Sequence, residues 1–121
     1  MKIRFALCLL PSLMIPASAQ DPVKIIGIGA TTCRQFVHDA TTTPATQRQY
    51  LAWLQGYLSG IVIGRPAGVD EGIDLIPEDF PLSAQLKFVR DYCLSVPSAS
   101  FADAIEALFR EFRRLSSVTK S

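Results

Sequence analysis

Histidine occurs once, tryptophan once and cysteine only three times in the 121 residues. A zinc site draws about four ligands, mostly from Cys and His. His38 has no second histidine and no spare cysteine to complete such a set. An excess of one charge is also missing, since 12 Lys and Arg stand against 11 Asp and Glu. A chain so balanced has no electrostatic footprint for nucleic acid and no polybasic segment for an anionic membrane. No apolar run reaches the ~18 residues that span a bilayer. Internal repeats and low-complexity segments are absent.

Three near-misses to catalytic or ligand motifs are also informative. Residues 27–33, GIGATTC, lack the lysine and the spacing of a phosphate loop. Residues 56–60, GYLSG, put Ser59 one place off the serine of GxSxG. Residues 65–81, RPAGVDEGIDLIPEDFP, carry Asp70, Glu71, Asp74, Glu78 and Asp79 but not the alternating ligands and terminal Glu of an EF-hand. The expectation is a protein that is not an enzyme and takes no cofactor or metal. That acidic loop reads instead as solvated or offered to a partner.

What is present begins with an export pattern. Lys2 and Arg4 precede an apolar run from Phe5 to Ile15, and Pro16 then leads into Ala17-Ser18-Ala19. This predicts a cleaved signal peptide over 1–19. Cys8 lies inside the apolar run and leaves with it. Without Lys2 and Arg4, 10 of the 12 basic residues remain beside 11 acidic ones, a formal charge of −1. The two remaining cysteines, Cys33 and Cys93, favour a disulfide in an exported domain. It would close 60 residues, which the chain-entropy model puts at roughly 4 kcal/mol. The competing reading is a reactive Cys33 near His38.

The mature chain reads as all-α, with about four helices. Residues 20–30 are expected to form an extended arm or a short edge strand. The helical domain spans 31–115, and 116–121 is expected to be a flexible tail. Thr31 or Thr32 can cap a first helix from Cys33 to Asp39. Thr43 and Pro44 open a central helix to about Ile63, with Tyr50, Leu51, Leu54, Tyr57, Leu58 and Ile61 at core spacing. On that helix Gly56, Gly60 and Gly64 recur every four residues, near Trp53 and Tyr57. Glycine costs a helix about 1 kcal/mol against alanine, so another backbone is expected to come close. Internal packing of a neighbouring helix is the first reading, and a dimer face the second. Val69, Ile73, Leu75, Ile76 and Phe80 can tuck part of the acidic loop onto the core.

A third helix is expected over Leu82–Leu94, with Leu82, Leu86, Val89 and Cys93 on its buried stripe. Ser100 and Asp103 form a capping pair for the last helix. Phe101, Ile105, Leu108, Phe112 and Leu115 mark its inner face. Arg110, Arg113 and Arg114 crowd its expected final turns, where the helix dipole favours cations.

The frame of Thr32-Cys33-x-x-Phe36, a central helix, an irregular segment, Tyr92-Cys93, Pro97 and Phe101 resembles the HdeA/HdeB-like periplasmic proteins of Gram-negative bacteria. The resemblance covers about residues 31–115. It implies a small all-α domain whose cysteine bond joins an early and a late helix. It also implies a periplasmic acid-stress holdase, a dimer at neutral pH that loosens in acid and holds unfolding clients. Protonating 11 carboxylates would carry the mature chain from about −1 toward about +11, counting 10 Lys/Arg and His38, and self-repulsion of that size loosens a compact state. The helix Trp53-x-x-Gly56-Tyr57-x-x-Gly60 is no HdeA hallmark. It is similar to that of uncharacterised exported relatives and of Tai-type immunity proteins, which neutralise type VI secretion effectors. Unfolding clients, a toxin or a second copy are therefore the expected partners, with no nucleic acid and no membrane after signal cleavage.

Overall fold

Residues 24–119 are described by a computed structural model. The expected signal peptide over 1–19, Cys8 within it, residues 20–23 of the arm, and Lys120 and Ser121 lie outside the described residues.

Four helices follow one another: α1 Cys33–Ala40, α2 Pro44–Ile63, α3 Leu82–Ser95 and α4 Phe101–Thr119. No strand forms among the described residues; Thr32 and Ser100 make an isolated antiparallel bridge. Each start has a local cause. The Thr32 side chain accepts from the Gln35 amide, and the Thr43 side chain accepts from the Thr46 amide, with Pro44 at the first helical position. Asp103 N–H donates to Ser100 Oγ at 3.1 Å while Ser100 N–H donates to Asp103 Oδ2 at 2.9 Å, a reciprocal capping box. Those side chains satisfy amides that a helix start otherwise leaves unpaired.

The core is the shared inner face of all four helices. α4 contributes most, through Phe101, Ile105, Leu108, Phe109 and Phe112, all buried. Tyr50, Leu54 and Leu58 of α2 and Phe36 of α1 meet them. Phe36, Tyr50 and Phe101 form a ring cluster with centroids 4.6–5.0 Å apart. Each such side chain contributes about 1.5–3 kcal/mol on leaving water.

Cys33 and Cys93 are bonded, with their Cα atoms 4.7 Å apart. This joins the first turn of α1 to the last turn of α3. Both cysteines are buried, so the reading of a reactive Cys33 falls. The same corner is pinned by backbone bonds. Cys33 N–H donates to Ala99 O at 2.7 Å, Arg34 N–H to Pro97 O at 3.0 Å and Phe101 N–H to Thr31 O at 2.8 Å. The α3–α4 turn thus supplies partners for the orphan amides at the start of α1.

Several expectations need correction. Gly27–Ala30 forms a 3-10 turn, neither a strand nor an extended arm. It forms because Gly29 must lie flat on Trp53, and Gly27 takes a left-handed φ of 71°. Helix α4 does not end near Leu115 but runs through the expected tail to Thr119. Leu115 is still half-buried there, and Ser117 Oγ donates to Arg114 O at 2.7 Å. The three arginines therefore sit before the last turn, which holds no basic residue. Arg113 and Arg114 answer side-chain carboxylates rather than the helix dipole. On α3, the fully buried polar residue is Gln85, one turn before Val89, whereas Leu82 and Leu86 are only half-buried.

Candidate functional site

Helix α2 has two unlike sides. Tyr50, Leu54 and Leu58 face the core, while Ala52, Gly56, Gly60 and Gly64 face outward and are exposed. Gly56 lies two residues beyond Leu54, about 200° around the helix axis. A Cβ on Gly56 or Gly60 would meet nothing within 4 Å. The expected packing of a neighbouring helix against these glycines is therefore absent, and their side of α2 is open. Gly64 differs, since its Cβ would lie 3.2 Å from Gly60 O at the helix end.

The open side is bordered by aromatic rings. Trp53 and Tyr57, one turn apart, stack with centroids 5.0 Å apart and planes 18° from parallel. Together with Ile25, Ala52, Gly56, Gly60 and Ile61 they line a shallow apolar groove of about 710 Å³. Among the described residues, no charged side chain lines it. Ile63, next along the helix, is 83% exposed. The arm holds the indole in place from the far side, where Gly29 is buried against it. The rim toward α4 is polar: Tyr57 donates its hydroxyl proton to Glu106 Oε1 at 2.9 Å. Burial first, and this carboxylate second, push the Tyr57 phenol up to about 12.

A second polar knot lies at the end of α1. Asp39 accepts from Gln35 Nε2 at 2.6 Å and from the Tyr50 hydroxyl at 2.9 Å, and His38 Nδ1 lies 3.2 Å from it. The His38 bond, followed by those of Gln35 and Tyr50, holds the Asp39 carboxyl below the usual carboxylate range. Burial pushes the Tyr50 phenol up, with the Asp39 bond adding to it. His38 itself is 77% exposed. Among the described residues, no three His, Cys, Asp or Glu side chains converge to hold a metal ion.

The acidic loop is divided. Glu71, Asp74, Glu78 and Asp79 are exposed, and Asp74 Oδ1 caps the Ile76 amide at 2.8 Å. Asp70 is turned inward. Its side chain is 7% exposed and lies between Arg65 and Arg113. Ile73, Leu75 and Phe80 pack on the core as expected, while Ile76 and Val69 remain exposed. The structure thus brings Trp53, Gly56, Tyr57 and Gly60 onto one surface and leaves the acidic loop apart from the groove.

Sequence reasoning did not single out Gln85, Glu106 or Asp39, and it gave Arg113 to the helix dipole and not to Asp70. Gln85 sits at buried spacing with Val89 and Cys93, four residues apart each time, and that was a usable signal. Pairing of Tyr57 with Glu106 or of Asp70 with Arg113 spans distant parts of the chain and leaves no local trace.

Comparison with protein families, with curated proteins and with solved structures finds no match. The fold and site described here therefore define the class: a small four-helix, disulfide-bonded, all-α domain with an open apolar helix face.

Proposed function

We propose that this chain is an exported protein-binding module, HdeA-like in its frame, that offers the outward side of α2 to a protein partner. The observation that carries the reading is the open space around Gly56 and Gly60 beside the Trp53–Tyr57 stack. Two interior glycines cost a helix about 1 kcal/mol each against alanine, and none of the described residues packs on them in return. Close approach of a partner's backbone accounts for both. The bonded cysteines support export, because disulfides persist mainly in oxidising compartments. No described helix is long and apolar enough to cross a membrane.

The partner in the first reading is an unfolding periplasmic protein, held in acid by a stress chaperone. The second reading, an immunity protein that blocks a type VI secretion effector, has one observation in its favour. The groove is already open in the folded chain and needs no acid to uncover it.

One pair of substitutions tests the common claim. Gly56→Leu and Gly60→Leu fill the groove from its floor, where the space is free. Sedimentation of the chain alone first asks whether a second copy occupies the face. Aggregation of an acid-labile periplasmic protein is then followed at about pH 2–3 and about pH 7, with and without each variant. A holdase suppresses aggregation at the acid end, and the leucine variants lose that effect while remaining folded. An immunity protein leaves aggregation unchanged and instead forms a tight neutral-pH complex with a neighbouring toxin. Leucine variants that bind every tested protein as the parent chain does would remove α2 from the account.

A further inference from the structure

The segment joining α2 to α3, residues 65–80, has an unusual backbone. Gly68, Asp70 and Gly72 all take left-handed φ values, 80°, 57° and 78°. Asp70 is the one non-glycine residue with positive φ among the described residues. Left-handed backbone is unfavourable for a residue with a side chain and persists where surrounding contacts enforce it. Among the described residues, nothing lies within 4 Å of a Cβ built on Gly68 or Gly72, so no side chain packs against the two flanking glycines. The ionic contacts of the segment fall on Asp70.

Asp70 Oδ1 lies 2.8 Å from Arg113 Nε of α4, and Oδ2 lies 3.1 Å from Arg65 Nε at the start of the segment itself. Arg65 is itself held over the Phe109 ring, 5.6 Å from its centre. Yet Asp70 Oδ2 is buried and accepts no hydrogen bond, because the Arg65 contact has the distance of an ion pair without the alignment of a hydrogen bond. A buried oxygen in that state is costly. Strained backbone and an unsatisfied oxygen at one residue make this fastening finely balanced.

The far end of the segment is held differently. Gln85 of α3, 1% exposed, donates both protons of its amide, one to Leu75 O and one to Phe80 O, each at 3.0 Å. Phe80 also packs on Phe112 and Phe88, with centroids 5.6 and 6.5 Å away. Both N–H groups of the Gln85 amide are used in this anchor.

We propose that residues 65–80 form a strap with a fixed end at Gln85 and a releasable end at Asp70. The part of the strap from Gly68 to Gly72 swings away when the Arg65–Asp70–Arg113 latch parts, while Leu75 and Phe80 stay held by Gln85. Release uncovers the apolar side of Ile73, which packs on the core. This holds whatever occupies the groove on α2.

The test is amide hydrogen exchange by NMR on the full mature chain. Four strap amides report: Val69 bonded to Pro66 O, Ile73 to Asp70 O, Ile76 to Asp74 Oδ1, and Phe80 to Pro77 O. Asp70→Asn keeps the size and the tolerance for left-handed backbone but removes the charge. It should accelerate exchange at Val69 and Ile73 by about tenfold or more. Amides inside α2, α3 and α4 should keep their rates, and Phe80 should change least. Equal strap rates in parent and variant overturn the proposal. So does uniform acceleration across all helices, which would make Asp70 a global support. If Asp70→Asn does not fold, Arg113→Gln keeps Asp70 paired with Arg65 and reads the same amides. It should give a smaller acceleration confined to the strap, and unchanged rates there overturn the latch.

Discussion

Gly29 lies flat on the indole of Trp53, so closely that a Cβ on it would stand 2.1 Å from Cη2. The contact joins the N-terminal 3-10 turn to the middle of α2 and fixes the ring that borders the open groove. It turns a glycine in a loosely patterned arm into one of the most tightly constrained positions of the chain.

Gly29→Ala should therefore destabilise the fold by about 1–3 kcal/mol, the usual range for overpacking. Thermal melts give the loss, and Trp53 fluorescence should shift as the ring is displaced. Unchanged melting and emission would mean that the arm does not hold the indole.

Gly56→Ala and Gly60→Ala should do the opposite. Both positions are helical with open space beyond them, so each alanine should stabilise the chain by about 0.5–1 kcal/mol. Denaturant midpoints measure it. A loss of stability at either position would show that something already packs there.

Reduction of the bond between Cys33 and Cys93 should cost roughly 4 kcal/mol in the chain-entropy account. Domains of this size are stable by about 5–15 kcal/mol, so the reduced chain should melt much earlier. Paired melts of oxidised and reduced protein check this. Coincident melts would place the stability in the core alone.

Burial first, and the Glu106 bond second, predict a late phenol titration for Tyr57. With the folded value pushed up to about 12, the unfolded chain ionises this tyrosine first. The contribution is whole below the unfolded value, declines as pH rises between the two, and is lost above about 12. Ultraviolet titration should show one such tyrosine missing in Tyr57→Phe. Asp39 has the reverse sign. Its lowered value makes its contribution present above the unfolded carboxylate range and lost as pH falls through the folded value. Melts of Asp39→Asn should be less acid-sensitive than those of the parent chain.

Helix positions were legible because their causes are local. Thr43-Pro44, the Ser100–Asp103 pair and the core spacing of Tyr50, Leu54 and Leu58 each act within one or two turns. The bare side of the glycines was not legible: their spacing of four read as the seat of a neighbouring helix, and only the burial of Tyr50, Leu54 and Leu58 shows Gly56 turned about 200° away from the core. Nor was the role of Gly29, because its constraint comes from Trp53, 24 positions away. Asp70 likewise reads as one more acid in an acidic loop until Arg113 of α4 stands beside it.

By itself, the order of residues determined four helices and most of their caps, and it favoured the bond between Cys33 and Cys93 that the structure shows. Tertiary structure alone decided which side of α2 stays bare, which acid is buried and where the arm turns. Those outcomes depend on side chains far apart in sequence meeting at van der Waals or ion-pair distance. Such meetings are settled only once the whole core has closed.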